Sequence, residues 1–349
     1  MPAGTQIVDV ADRILADIRA RKLRPGDPYL NTADAAKRLR VSGSTVHRAL
    51  QLLAQRGVVT RRQRQGTTVA QVDYQAKLRR VHILVREDHL KTEGFWSEGV
   101  LLGLQGSLPG VELQFNFRPQ IDEADYIDRL IGEVLRARQA AGFVLIRSTV
   151  VTQRLVAAAG IPAVVSGTLQ PSITNLPSVD RDQHQIGRLM AEHLLERRCD
   201  RYLVLMRERL AAGDHAMLDG ALAVFAAAGV GLDRTVIRCL PTDDDAIAAS
   251  VGEQIAATRG RLGCLCRSEP LARGVAAAAE AAGCGPKRRP ALIVADAVSA
   301  PTEGPHFPCI ESTITPQEWG ATLGRVLAAT ADGRKPEPYR LIIPVRVRQ

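Results

Sequence analysis

From Val81 onward the sequence repeats one rhythm. Short apolar runs of strand length alternate with Ala- and Leu-rich segments compatible with helix. VHILV (81–85) precedes a helix near 94–107, and VELQFNF (111–117) precedes one near 122–139. GFVLIR (142–147) and IPAVVSG (161–167) complete a first set. YLVLM (202–206), TVIRCL (235–240), LGCLC (262–266), ALIVAD (291–296) and LIIPVRV (341–347) form a second. Repeated β-α units bury apolar strands under helices on both faces, which gives parallel sheets. Two such sets predict two lobes, with a ligand cleft outside the C-terminal ends of the strands.

The first quarter of the chain reads differently. The net charge of +9 is carried there: residues 1–80 hold 16 Lys/Arg against 6 Asp/Glu, and the remainder is close to neutral. A small, strongly basic module suits a polyanion such as nucleic acid; the plainer alternative is a solvated basic face. Apolar residues Ile7, Val10, Ala11, Ile14, Leu15 and Ile18 predict a helix over 7–20. A second helix is expected over 32–40, N-capped by Thr32 or Asn31. A third is expected over 44–56, capped by Ser44 and ended at Gly57. Strands follow over 58–62 and 67–72, around a Gln-Gly turn at 65–66.

Three helices and a hairpin make a winged helix-turn-helix, whose third helix fits the major groove of double-stranded DNA. Val46, Ala49, Leu50 and Leu53 would pack inward. Ser42, Ser44, Thr45, His47, Arg48 and Gln51 would face DNA, with Arg61, Arg62 and Arg64 on the hairpin beside Gly66. His47 reads equally well as a solvated surface residue.

Other classes of function find little support. No G-x-S-x-G, H-E-x-x-H or G-x-x-x-x-G-K-[ST] motif occurs, and Gly99, Gly103 and Gly106 are too widely spaced for a dinucleotide fingerprint. Neither an enzyme nor a cofactor is expected. The six cysteines form no CxxC pair; Cys264 and Cys266 would share one strand face as small buried hydrophobes, without a metal. No apolar run reaches the ~20 residues of a membrane span, and the N-terminus does not read as a signal peptide. A cytoplasmic protein without membrane contact is the expectation.

GDPYLNTADAAKRLRVSGSTVHRALQLLAQRGVVTRRQRQGTTV resembles the GntR-type winged helix, over roughly residues 7–72. The match lies in the second helix, the VS-x-x-TV-x-x-AL recognition helix and the RR…GT-x-V wing. Two positions depart from the family pattern: Gly43 and His47 stand where arginines are usual. Base-reading roles therefore do not carry over directly; Arg48, His47, Ser44 and Thr45 are the candidates.

Residues 80–347 resemble the effector-binding domain of LacI/GalR-type regulators, a periplasmic-binding-protein-like α/β fold. The resemblance rests on GFVLIRSTVVTQRLVAAAGIPAVVSG, LPSVDRDQHQIGRLMAEHLLERRCDRYLVLM, LCRSEPLARGVAAAAEAAG, ALIVADAV and STITPQEWGATLGRVLAA. A GntR-type head on such a body is an arabinose-repressor-like architecture. It implies a head over 1–72, a linker over 73–80 and a two-lobed effector and dimerisation domain over 81–349. It also implies a homodimer on a near-palindromic operator, acting as a repressor and modulated by a small effector such as a sugar. The family's cleft positions fall on Phe95, Trp96, Arg147, Ser148, Ser268, Glu269 and Asp296. Its ligand-clamping arginine is replaced by Met217, with Asp214, His215 or Arg207 as substitutes. Phe95 and Trp96 also read as core residues, Asp296 as a turn or cap residue, and Trp319 as core. A body that dimerises without binding any ligand is the alternative.

Overall fold

A computed structural model of the 349-residue chain describes residues 3–21, 23, 26–55, 58–62, 66–69, 78–86, 98–119, 121–137, 140–241, 243–296, 307–337 and 339–348. The head contains α1 (Ala3–Ala20), β1 (Pro28–Tyr29), α2 (Thr32–Leu39), α3 (Gly43–Gln55), β2 (Val59–Arg62) and β3 (Gly66–Val69). Its strands pair antiparallel in the order β1-β3-β2. The 3-4 spacing of α1 delivers Val10, Ala11, Ile14, Leu15 and Ile18 to one core. Ala35 and Leu39 meet them from α2, and Val46, Ala49, Leu50 and Leu53 from α3.

Asn31 caps α2, its Oδ1 accepting from Asp34 N at 2.9 Å. α3 starts one residue earlier than expected, and Ser42 rather than Ser44 caps it. Ser42 Oγ accepts from Thr45 N at 3.1 Å, the reach of a capping oxygen to a free first-turn amide. A buried polar knot ties the head together: Tyr29 donates to Asp17 at 3.1 Å, and Arg38 Nε donates to the other carboxylate oxygen at 2.5 Å. Burial, then the charge of Asp17, pushes the Tyr29 phenol up.

The first lobe has the sheet β14-β8-β7-β6-β4-β5, six strands among the described residues. These are β4 (Arg80–Arg86), β5 (Glu112–Arg118), β6 (Ala141–Ile146), β7 (Ala163–Ser166), β8 (Ser178–Arg181) and β14 (Arg340–Ile343), all in parallel pairings. Helices α4 (Glu98–Ser107) and α11 (Pro316–Ala331) pack together on one face; α5 (Glu123–Ala137) and α6 (Val150–Ala159) cover the other.

The second lobe repeats the plan with the order β10-β9-β11-β12-β13-β15. Its strands are β9 (Arg201–Arg207), β10 (Thr235–Leu240), β11 (Leu262–Ser268), β12 (Ala291–Asp296), β13 (Cys309–Ser312) and β15 (Val345–Arg348). α7 (Gln183–Glu196) and α8 (Ala212–Ala227) lie on one face, α9 (Asp244–Ala257) and α10 (Glu269–Ala281) on the other. Cys264 and Cys266 are fully buried in the core beneath α9 and α10.

Two features differ from the sequence reading. LIIPVRV is not one strand: Pro344 divides it into β14 of the first lobe and β15 of the second. Proline cannot donate to a sheet ladder, so the run breaks where it changes lobe. The sheet of the second lobe is also not wholly parallel, because β15 runs antiparallel to β13. The chain thus crosses between lobes at β8–α7, β13–α11 and β14–β15.

Of the glycines noted above, Gly103 serves packing. A Cβ on Gly103 would lie 1.9 Å from Gln317 O, and one on Gly320 1.9 Å from Val100 O, so α4 and α11 touch backbone to backbone. Gly187 and Gly220 do the same for α7 and α8.

Candidate functional site

α3 presents two chemically distinct faces. Val46, Ala49, Leu50 and Leu53 are fully buried. Ser44, His47, Arg48 and Gln51 are exposed and Thr45 is half-buried. Ser42 is exposed as a residue, yet its hydroxyl is engaged: besides the cap it bonds Ser44 Oγ at 2.9 Å and Thr45 Oγ1 at 2.7 Å. The wing reaches the helix through Arg61, whose guanidinium lies 3.3 Å from His47 Nδ1. His47 is therefore joined to the wing. Gly66 opens β3 with φ +87°, a left-handed turn conformation that suits glycine. Arg64, and the side chain of Arg62, lie outside the described residues.

The second site lies where the C-terminal ends of the strands of both lobes meet. Asp296 ends β12, and arginines from both lobes converge on it. From the first lobe, Arg147 Nη2 donates to Asp296 Oδ2 at 2.7 Å, and Arg181 donates to Oδ1. From the second, Arg207 Nη2 lies 2.6 Å and Arg267 Nη1 2.7 Å from Oδ2. Asp214, in the first turn of α8, takes Arg267 Nε at 2.5 Å and Arg207 Nη1 at 3.4 Å. Its other oxygen accepts from Ala211 N at 2.9 Å.

Arg147 has φ 44°, the left-handed region that non-glycine residues rarely adopt. The buried Arg118 supports this backbone, donating to Arg147 O at 2.9 Å and pairing with Glu123 at 2.6 Å. From this position Arg147 reaches Asp296 of the second lobe, and backbone conformations of this kind cluster at functional sites.

The electrostatics follow from this crowding. Although burial alone would raise it, the arginines, Arg267 foremost, hold the Asp296 carboxyl well below the usual carboxylate range. Asp214 is lowered likewise by Arg267 and Arg207 against the effect of burial. Loss of solvent, and then the neighbouring Arg207, disfavours the charge on Arg147; loss of solvent and then Arg267 does the same to Arg207. Asp180, beside Arg181, is pushed up by burial while accepting from Thr168 Oγ1 at 2.5 Å and Gln183 Nε2 at 2.9 Å.

The cleft residues expected from the sequence fare unequally. Arg147 and Asp296 meet directly. Ser148 lies beside Arg147, but its Oγ is taken by Gln153 Nε2 at 3.1 Å. Glu269 is buried at the start of α10 and paired with Arg273 at 3.3 Å. Met217 is fully buried in the core under α7 and α8, where a thioether packs well. Phe95 and Trp96 lie outside the described residues. Trp319 packs in the first lobe, its Nε1 donating to Ser166 Oγ at 3.2 Å. His215 is exposed on α8, whereas Arg207 and Asp214 both join the cluster.

Sequence reasoning overlooked Arg181 and Arg267. The signal was present: GFVLIR, SVDR, YLVLMR and LGCLCR each carry arginine at the C-terminal end of a strand. Among the described residues no group of His, Cys, Asp and Glu is arranged to hold a metal ion. No helix among them is long and apolar enough to cross a membrane.

Residues 6–69 match the family model described as bacterial regulatory proteins, gntR family. The head is a GntR-family domain. Beyond this GntR-type head, the body has the fold of LacI-family effector domains, as three solved structures illustrate. One is a probable maltose operon transcriptional repressor, malR, from Staphylococcus aureus (13% identity, 77% of this chain and 96% of that one, TM-score 0.64). Another is the transcriptional regulator CelR in complex with cellobiose (18% identity, 88% and 90%, TM-score 0.64). A third is the transcription regulator GntR from Chromobacterium violaceum (20% identity, 78% and 98%, TM-score 0.61). All three are transcriptional regulators. No curated protein matches the sequence.

Proposed function

We propose that the chain is a cytoplasmic transcription regulator, acting as a repressor, in which a homodimer presents two GntR-type heads to a near-palindromic operator. In this reading the interlobe cleft binds a small effector that alters DNA affinity, and the protein performs no catalysis. The supporting observation is the union, in one chain, of a GntR-family head with a bilobed body whose strand ends meet across a charged cleft. Arg48, Gln51, Ser44 and Thr45 read bases from α3. Arg61 holds His47 against the wing, and the wing arginines contact phosphates. Phosphate contacts fix register while base contacts specify sequence.

An effector works here by differential affinity for two arrangements of the lobes. Arg147 and Arg181 on one side, and Asp296 on the other, are pairs whose spacing changes when the lobes rotate. Coupling of about 1–3 kcal/mol between effector and DNA is typical of such devices, and it is reciprocal. The test is operator binding by the full-length protein at increasing salt, with and without cleft ligands. A steep fall with salt on specific DNA, shifted by a ligand, supports the proposal; indifference to duplex DNA at low salt rejects it.

A second reading has one observation in its favour. Asp296 is engaged by arginines of both lobes, a contact that would hold the body closed and leave it to serve only to dimerise. A body whose stability no small molecule changes would favour this alternative.

A further inference from the structure

We infer that His47 reads a purine in the major groove as a hydrogen-bond donor through Nε2, guanine before adenine, and that Arg61 on the wing fixes it in that role. This rests on α3 entering the groove, and it adds His47 to the residues that read bases there. Arg61 Nη1 and Nη2 lie 3.4 and 3.3 Å from one and the same atom, His47 Nδ1. A guanidinium carries donors and no acceptor, and it keeps its proton in proteins. Nδ1 must therefore accept, with its lone pair turned toward the wing. A neutral imidazole has a donor on one nitrogen and an acceptor on the other, so the proton sits on Nε2. His47 is exposed, and Nε2 makes no hydrogen bond among the described residues.

The fold sets both residues in place independently of their contact. Side chains of a strand alternate between its faces, so Arg61 shares a face of β2 with Val59. Val59 is buried in the core that α3 helps to form. Arg61 pairs in register with Thr67 of β3, so the hairpin holds its backbone. On α3, Val46 and Leu50 are fully buried, while His47 is exposed beside Arg48 and one turn before the exposed Gln51. His47 stands in the N-terminal half of α3, the part of a recognition helix that meets base edges.

Fixing the tautomer fixes what the ring can recognise. In the major groove guanine offers two acceptors, N7 and O6. Adenine offers N7 beside an amino donor, thymine O4 beside a methyl group, and cytosine an amino donor. A ring whose free nitrogen carries a proton is matched best by guanine, accepts adenine at N7, and meets cytosine donor to donor. Without Arg61 the proton could sit on either nitrogen, and the ring would present an acceptor as well as a donor. Arg61 is therefore a positioning residue, acting on the base through His47.

The test is selection of bound sites from random duplexes by full-length wild type, His47→Ala, Arg61→Lys and Arg61→Gln. Affinities are then measured on the selected duplex, with 7-deazaguanine or 7-deazaadenine replacing each purine of one half-site in turn. His47→Ala should lose the preference for one purine per half-site and keep the rest of the motif. Removing N7 of that purine should weaken wild-type binding by about three- to tenfold, as the loss of a single hydrogen bond does, and should leave His47→Ala unaffected. Arg61→Lys, still a donor without an acceptor, should keep the preference. Arg61→Gln, which can donate or accept, should relax it at the same position. An unchanged motif in His47→Ala, or equal sensitivity to the deazapurine in that variant and wild type, would overturn the inference while leaving the regulator reading intact. A uniform loss of affinity in Arg61→Gln with the preference unaltered would overturn the part given to Arg61. Failure of the wild type to enrich any sequence would count against both readings. Wild-type melting profiles and retained, salt-sensitive binding to random duplex exclude misfolded heads as the cause of a changed motif.

Discussion

Arg147 of the first lobe lies 2.7 Å from Asp296 of the second, and Arg207 of the second lobe reaches the same carboxylate oxygen at 2.6 Å. One atom therefore joins the two halves of the body. Removing its charge has a direct consequence. Asp296→Asn leaves the surrounding guanidiniums crowded with less to balance them, and breaking a buried ion pair from one side costs about 3–5 kcal/mol. Because Arg147 is partly solvated, the low end, about 3 kcal/mol, is expected. Denaturant unfolding of the variant measures it; a loss below ~1 kcal/mol would mean that the cluster is effectively solvent-screened.

Arg48 is exposed on α3. Arg48→Ala should weaken binding to the specific operator by about 1–3 kcal/mol if it reads a base edge. Titration against operator and random duplex in the same buffer decides. An equal loss on both would make it a phosphate contact instead.

The helix pair α4 and α11 offers a test of packing with its own control. Gly103→Ala places a methyl group against the Gln317 carbonyl, which backbone cannot easily yield, and should cost about 1–3 kcal/mol. Gly106→Ala, on the same helix, meets nothing within 4 Å and should be neutral or stabilise by about 0.5–1 kcal/mol. If both behave alike, the close approach of the helices is wrong.

Two buried histidines give the body a pH dependence of definite sign. Burial pushes both His82 and His193 below the ordinary histidine value; Asn116 opposes this at His82 by bonding Nδ1 at 2.9 Å. The unfolded chain then binds protons that the folded chain refuses, so their contribution is complete above about pH 6.5 and is lost as pH falls through the lower folded values. Melting temperature should therefore decline on acidification from pH 7 toward 5, and less steeply in His82→Gln. An unchanged slope in that variant would remove His82 from the explanation.

Much of the architecture was legible because periodicity is set by burial. The apolar faces of α1 and α3 and the strand runs of both lobes each report which side is inside. The lobe assignment of 341–347 was not, since LII and VRV each have a strand-like pattern and only the pairing partner distinguishes them. β8 escaped notice because SVDR is short and half polar, and Arg181 was overlooked with it. Met217 falls at a family cleft position, and its apolar side chain packs in a buried cluster. The cluster around Asp296 was readable only in part: the arginines stand at strand ends in the sequence, but their convergence depends on two sheets brought face to face.

The most direct test of the proposed function is selection of bound sites from random duplexes by the full-length protein. Two heads on a two-fold dimer should enrich an inverted repeat with fixed half-site spacing. Failure to enrich any sequence, or enrichment of a single asymmetric site with no second half, would contradict it.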